Sequence, residues 1–326
     1  MHTYKVTVKS LGRITQLPDS QKIFGAIVYL LSNHLEQEKI SRFVSEISDN
    51  KYIFMVSNLM PEGYLPTPYG DVENGDKQVY QEVKEKKFIR KESLQKSIRS
   101  IDKFVKVEEN QDAKYRISNE FFDIPGLNND LFSIPTVKLL EIIQRGSKVD
   151  IIQEVIAFDF YLAFNEENEI TTKLLELLRQ LESDKDIFLY GQKASHGYNT
   201  YQIDEINPVF DLSWEKPECF LNIGMFLPNE KNQVIDYPSS KLKIFTSERR
   251  PYQMGVGQGK FDRDNNFISF VEAGSVIKFE TNSDDSIIDK LKQAGKSVDS
   301  PYQSGNEKRI VFGQSFLYPL KEAPKL

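Results

Sequence analysis

Residues 155–164 constrain the fold more than any other segment of the sequence. These ten residues (VIAFDFYLAF) include a single charged side chain, Asp159. A short, nearly continuous apolar run is typical of a strand that is covered on both faces. The sequence therefore predicts a buried strand here. The apolar share of 39%, with 22 Phe and 15 Tyr, is enough to build a core around it.

The elements around this strand follow a recognisable order. Their apolar periodicities predict a strand at 4–8, a helix capped by Asp19 or Ser20, a strand at 51–56, the buried strand, a helix at 170–181 capped by Asn165 or Asn168, and strands at 187–190 and 200–203. This is the βαββαβ order of a ferredoxin-like unit whose central hairpin is enlarged. The first domain would span 1–205.

The second half has a less regular α+β pattern. It predicts strands at 220–226, 242–245, 266–271, 275–280 and 310–316, and one helix at 286–293 that is capped by Ser283 or Asp284 and ends at Gly295. A second domain at 206–326 follows from this pattern.

Composition and charge exclude several classes of function. The chain has 42 Lys and Arg against 48 Asp and Glu, a formal charge of −6, which argues against non-specific coating of nucleic acid. Cys219 is the only cysteine, and the histidines are His2, His34 and His196, so we expect no disulfide and no Cys- or His-rich metal site. The longest apolar run, 23–31, is far shorter than the about 20 residues of a membrane span. We expect a cytoplasmic protein with no membrane contact, no metal and no cofactor.

Two glycine-bearing segments carry residue types that can hold an RNA backbone. Glycine lets a backbone approach a phosphate, while Lys, Ser and Arg donate to it and Tyr stacks on bases. The residues of interest are Gly191, Lys193, Ser195, His196, Gly197 and Tyr198 in the first segment, and Arg249, Arg250, Tyr252 and Gly255 in the second. From the residues alone, a plain turn and a surface loop explain these segments equally well.

Two further segments are candidates for the same role. Ser20, Gln21 and Lys22 open the first helix, where free amides favour phosphate, although a capped core helix begins in the same way. Residues 84–103 contain eight Lys or Arg against three acidic residues, in an otherwise acidic chain. A solvated helix face and a surface facing RNA or a partner both fit that stretch.

Taken in order, several of these segments resemble one family. Residues 20–27 (SQKIFGAI), 63–68 (GYLPTP), 86–89 (KKFI) and the loop 191–198 resemble elements of the RAMP (repeat-associated mysterious protein) superfamily of CRISPR proteins. Within it they resemble the Cas-five-group proteins that form the fourth subunit of type III-A (Csm) effector complexes. Residues 247–250 (SERR), 267–270 and 274–276 resemble the C-terminal elements of that group. Gln192, Ala194 and Asn199 stand where its loop has Gly, Arg and Gly.

The resemblance implies a fold and a function. The fold would be α+β, with two ferredoxin-like (RRM-like) domains, the first carrying a large insertion and a glycine-rich loop and the second degenerate. A thumb-like hairpin would lie in the insertion at about 60–150, within 115–150. The protein would be a non-catalytic RNA-binding subunit in antiviral defence, and its partners would be the 5′ repeat-derived tag of the crRNA, the large polymerase-like subunit and the backbone subunit. The tag-binding surface would comprise Ser20, Gln21, Lys22, Gly191, Lys193, Ser195, His196, Gly197, Tyr198, Arg249, Arg250, Tyr252 and Gly255.

Two other functions stay open on the sequence. A RAMP endoribonuclease could cut repeat RNA with His34 or His196 as general base, because a histidine can activate a ribose 2′-hydroxyl. No second catalytic partner is evident near His34. A structural interaction protein that never contacts RNA is the other alternative.

Overall fold

The computed structural model describes residues 1–70, 84–116, 131–146, 148–191, 194, 197–248, 267–281, 285–300 and 309–324, with residues 110–116, 131–134, 190 and 248 described through their backbone alone. The strands of the N-terminal half are β1 (His2–Ser10), β2 (Phe54–Val56), β3 (Met60–Pro61), β4 (Tyr64–Pro66), β5 (Phe88–Arg90), β6 (Lys103–Arg116), β7 (Leu131–Arg145), β8 (Lys148–Glu154), β9 (Ala157–Phe164), β10 (Ile187–Tyr190) and β11 (Thr200–Pro208). Those of the C-terminal half are β12 (Cys219–Asn222), β13 (Ile244–Glu248), β14 (Phe267–Val271), β15 (Val276–Ile277), β16 (Val298–Asp299), β17 (Ile310–Val311) and β18 (Leu317–Leu320). The helices are α1 (Ser20–Ser32), α2 (Gln37–Ser48), α3 (Glu169–Asp184) and α4 (Ile287–Ala294).

The central antiparallel sheet has the strand order β10-β11-β1-β9-β2, with β3 added to β9. Without the edge strand β10, the order β11-β1-β9-β2 and the chain order strand, helix, strand, strand, helix, strand are those of a ferredoxin-like unit. The predicted apolar strand is β9, which is buried along almost its whole length between β1 and β2. Its position explains why its sequence does not alternate.

Side-chain caps fix where the helices begin. Asp19 caps α1 by accepting a hydrogen bond from the Lys22 amide at 3.0 Å. Asn168 caps α3 by accepting from the Ile170 and Thr171 amides, each at 3.0 Å. Ser286 caps α4; the predicted caps Ser283 and Asp284 lie outside the described residues.

The insertion expected at about 60–150 forms a second sheet, of order β4-β5-β6-β7-β8. Its longest part is the β6–β7 hairpin, which is paired from Lys103 opposite Ile143 to Arg116 opposite Leu131. The hairpin therefore begins 12 residues before the predicted thumb boundary at 115. The basic stretch 84–103 forms β5, the start of β6 and short 3₁₀ turns, so the interpretation as a solvated helix face is wrong.

The C-terminal half contains a three-stranded sheet (β15-β12-β18), the ribbons β13–β14 and β16–β17, and α4. A shared core joins the two halves, since Met55 and Tyr161 pack in one cluster with Phe220, Leu221 and Phe316. Within the described ranges, no helix is both long enough and apolar enough to cross a membrane.

Candidate nucleic-acid interface

The glycine-rich loop connects the hairpin strands β10 and β11. At its base, the Gly191 amide donates to the Asn199 carbonyl at 2.8 Å, and the Gly197 amide donates to the Ala194 carbonyl at 2.9 Å. Gly197 has a φ of 78°, a conformation that favours glycine. Local turn chemistry therefore shapes the part of the loop that the structure describes.

The segment that joins β1 to α1 packs directly against this loop. A Cβ atom on Gly12 would lie 2.0 Å from the Gly197 carbonyl oxygen, so only glycine fits at position 12. The Asn199 amide donates to the Arg13 carbonyl at 2.9 Å. Asn199 also accepts from the Thr15 amide at 2.8 Å through Oδ1 and donates to Thr15 Oγ1 at 2.7 Å through Nδ2. Two segments far apart in sequence thus form one surface.

Asn199 explains one departure from the family pattern. It has a φ of 51°, and Asn is among the few non-glycine residues that adopt this left-handed conformation readily. The backbone conformation expected for the family's glycine is therefore kept, while the side chain adds two hydrogen bonds that glycine lacks.

The same β1–α1 segment also contacts the base of the long hairpin. The Val137 amide on β7 donates to the Ile14 carbonyl at 2.8 Å. A groove of about 260 Å³ lies between the two, and its lining includes Gly12, Arg13, Thr136 and Lys138. Arg13 and Lys138 are exposed, so cationic side chains border the groove where the glycine loop approaches the hairpin.

The start of α1 lies on the other side of the loop. Lys22 lines a small cleft together with Thr15, Gln16, Gly191 and Asn199. Its ammonium group donates to Gln16 Oε1 at 3.2 Å. The structure therefore brings together Lys22 and Gly191, two of the predicted site residues, and adds Arg13, which the sequence analysis missed. The glycine-arginine pair that follows β1 was the available signal.

Ser20, Gln21 and Tyr198 serve the interior of the protein. Ser20 is fully buried, its amide donates to Asn58 Oδ1 at 2.8 Å, and its Oγ accepts from the Met225 amide at 2.9 Å. Gln21 donates to the Phe312 carbonyl, and Tyr198 is 2% exposed. The first two residues thus join α1 to the C-terminal half, and Lys22 is the residue of the three at the cleft.

The second glycine-bearing segment begins where the ribbon β13–β14 ends. That ribbon is tied to the C-terminal core by paired hydrogen bonds between Phe226 and Val271, next to the Met225 amide that reaches Ser20. The remaining predicted site residues lie outside the described residues: Lys193, Ser195, His196, Arg249, Arg250, Tyr252 and Gly255.

His34 lies at the opposite end of α1 from Lys22. It is exposed, and its amide donates to the Leu31 carbonyl at 3.0 Å just past the C-cap Asn33. At 1.5 Å per residue, the 12 positions between Lys22 and His34 span about 18 Å. His34 is therefore too far from the cleft to act on a phosphate held there.

Asp159, the one charged residue of β9, is buried. Its Oδ1 accepts from Thr7 Oγ1 at 2.7 Å, its Oδ2 accepts from the Gly63 amide at 2.9 Å, and Lys5 Nζ lies 3.8 Å away. Burial raises the pKa of this carboxyl, and the hydrogen bonds oppose that shift. The contacts assign Asp159 to holding the turn between β3 and β4.

Comparisons with known proteins agree with this geometry. Neither a protein-family model nor a curated protein matches the sequence. Solved structures do match over the whole chain. One is the crystal structure of a Csm3-Csm4 subcomplex in the type III-A CRISPR-Cas interference complex, at 13% identity and a TM-score of 0.53, covering 98% of this chain and 99% of that chain. Another is the crystal structure of a Csm1-Csm4 cassette in complex with pppApA, at 12% identity and a TM-score of 0.52, covering 100% of both chains.

The predicted fold class is confirmed by these matches. The chain has an α+β, ferredoxin-like fold of the RAMP type. In particular, the fold is that of Csm4, the subunit that the two matched assemblies have in common.

Proposed function

We propose that this chain is a non-catalytic subunit of a type III-A CRISPR interference complex that binds the 5′ repeat-derived tag of the crRNA. One observation carries the proposal. The β1–α1 segment is held between the glycine-rich loop and the base of the β6–β7 hairpin, and it presents Arg13 beside Lys138 on one side and Lys22 beside Gly191 on the other.

This arrangement suits a single-stranded RNA backbone. Lys and Arg neutralise phosphates, and exposed glycine backbone permits close approach. Asn199 and Gly12 keep the segment in place before RNA arrives, which reduces the ordering cost of binding. The β6–β7 hairpin, which starts beside the same surface, would act as the thumb at the end of the tag.

The partners follow from the fold. The matched structures contain Csm1 and Csm3 beside Csm4, so we expect this chain to contact a large polymerase-like subunit and a backbone subunit. Co-purification of the tagged chain with both subunits from cells that express the complex tests this expectation.

RNA binding is tested by fluorescence anisotropy with a labelled single strand that carries the repeat-derived tag. Arg13→Ala and Lys22→Ala should each weaken binding, and each should make the slope of log K against log salt less negative by about 0.7. Lys173→Ala on α3, where Lys173 pairs with Glu176 at 2.8 Å, is the control and should bind as wild type. Unchanged binding in both site variants would defeat the proposed surface.

The same RNA tests the endoribonuclease alternative. We expect the purified chain to leave a repeat RNA intact. Specific cleavage that is lost in His34→Ala or His196→Ala would replace the binding proposal with the enzymatic one.

A further inference from the structure

Three motif segments that the proposed tag site does not use meet at one junction between the two halves of the protein. Strands β4 and β5 pair Leu65 with Ile89 and Pro66 with Phe88, which joins segment 63–68 to segment 86–89. Segment 274–276 reaches them from the C-terminal half, since the Tyr69 amide donates to the Gly274 carbonyl at 2.6 Å.

The junction is rigid. Gly274 has a φ of 98°, and a Cβ atom there would lie 2.6 Å from the Thr67 carbonyl oxygen. The buried side chain of Asn222 donates to the carbonyls of Val271 and Glu272, each at 3.0 Å. The loop that carries Gly274 is therefore fixed independently of any ligand.

Lysines from both halves are exposed at this junction. The Lys87 carbonyl accepts from the Thr67 amide at 3.1 Å, and the Lys243 amide donates to Ser275 Oγ at 3.0 Å. Lys84 lies nearby in sequence and is also exposed. Partial desolvation and the ammonium groups of Lys243 and Lys84 lower the pKa of Lys87, whereas Glu272 opposes that shift.

The acidic neighbours leave the surface positive. Lys243 Nζ lies 2.7 Å from Glu272 Oε2, and Glu85 is the other exposed carboxylate of these segments. Three ammonium groups therefore face two carboxylates. Two exposed aromatic side chains flank the lysines, because Tyr69 follows Thr67 and Phe245 follows Lys243 by two residues.

We propose that this lysine junction, defined as Lys84, Lys87 and Lys243 with Tyr69 and Phe245, is a second binding surface for single-stranded RNA. The lysines would contact phosphates, and the two rings would stack on bases. An acidic protein surface would use the lysines but not the exposed rings, which is why RNA fits better. The inference rests on the RNA-binding function proposed above and adds a surface that lies outside the glycine-rich loop.

The test uses the full chain, the tagged single-stranded RNA and anisotropy across a salt series. Lys87→Gln and Lys243→Gln should each weaken binding by roughly three- to tenfold at 0.1 M salt and flatten the salt slope by about 0.7. Glu272→Gln should tighten binding, because it removes the carboxylate that competes with phosphate for Lys243. Lys148→Gln, on β8 at the opposite edge of the same sheet, is the matched control and should change neither quantity.

The opposite response of Glu272→Gln separates a charge effect from a folding defect. Unchanged binding in the Lys87 and Lys243 variants, while Arg13→Ala still weakens binding, would overturn the junction and leave the tag site standing. Wild-type protein that binds no RNA would overturn both. Lysine variants that bind RNA normally but fail to enter the effector complex would show a protein-docking surface instead, which also overturns the proposal.

Discussion

Gly12 and Gly25 lie in the same region of the protein but have opposite surroundings. An added Cβ at Gly12 would meet the Gly197 carbonyl at 2.0 Å, whereas one at Gly25, on the exposed face of α1, would meet nothing within 4 Å. We predict that Gly12→Ala displaces the glycine-rich loop and lowers both stability and RNA affinity. Gly25→Ala should raise stability by about 0.5–1 kcal/mol, since alanine is the better helix former.

Urea denaturation of both variants, with anisotropy on the tagged RNA, checks this pair. Because both substitutions add one methyl group, their difference isolates the contact with Gly197. Equal stability of the two variants would mean that the β1–α1 segment and the loop are not packed as described.

Glu141 gives a prediction about pH. This buried carboxylate lies 3.0 Å from Lys103 Nζ and 3.1 Å from Arg90, and it accepts from Gln153 at 3.1 Å and from the Tyr64 hydroxyl. Burial alone would raise the pKa of Glu141, but hydrogen bonds from Tyr64, Lys103 and Arg90 outweigh it and hold the pKa below its ordinary value.

A lowered folded-state pKa means that the stabilisation is present above the unfolded-state pKa of about 4.3 and is lost as pH falls through the folded-state value. Glu141→Gln should therefore cost about 1–3 kcal/mol at pH 7 and lose less stability than wild type between pH 4.5 and pH 3. Thermal unfolding across that range measures both effects. Parallel pH profiles for the two proteins would exclude the role given to Glu141.

Individual residues show where sequence reasoning stops. Lys22 and Gly191 were predicted as parts of one surface, and the structure places them in one cleft. Ser20 was predicted beside them, yet it is buried against Met225. A helix start looks the same in sequence whether it faces a phosphate or the other half of the chain, because both use the same free amides. Arg13 was missed because its position depends on the pairing of Asn199 with the β1–α1 segment.

Among the elements, the basic stretch 84–103 is the most instructive. Lys86 is buried and donates to the carbonyls of Ile98, Arg99 and Ile101 at 2.9, 3.3 and 2.7 Å. It therefore closes the 3₁₀ turns that precede β6. We predict that Lys86→Met destabilises the protein by about 1–3 kcal/mol, because several buried carbonyls lose their donor.

Lys96→Met is the matched control for that substitution. Lys96 is exposed in the same stretch, so the effect should stay within about 0.5 kcal/mol. Urea unfolding distinguishes the two variants, and a Lys86 variant as stable as the Lys96 variant would contradict the structural role of Lys86.

Periodicity predicted most of the regular elements, including β1, α1, β9 and α3, because each buries one face or both. It missed α2, whose buried residues Ile40, Phe43 and Ile47 are separated by polar residues. It also misread the basic stretch, because a buried lysine that is satisfied by carbonyls looks like a solvated one in the sequence. The short C-terminal strands were placed only approximately, since tertiary pairing rather than local pattern defines them.

The molecule as a whole is held together by a core that neither half completes alone. Tyr161 on β9 packs against Phe316 with ring centroids 5.4 Å apart, and Trp214 packs on the same Phe316 at 5.8 Å. The division at 205/206 therefore separates two folding patterns that share one hydrophobic cluster. We predict that the chain unfolds in a single cooperative transition.

Trp214 is the only tryptophan, so its fluorescence reports on the C-terminal half, and hydrogen exchange of the β9 amides reports on the central sheet. The two probes should give the same urea midpoint. Phe220→Ala, at a position that is 1% exposed, should lower both midpoints together by an amount equivalent to about 3–5 kcal/mol. If the substitution shifts the fluorescence transition and leaves the β9 amides protected, the halves are independent folding units. In that case the junction between them could not hold the lysines of both halves in a fixed arrangement.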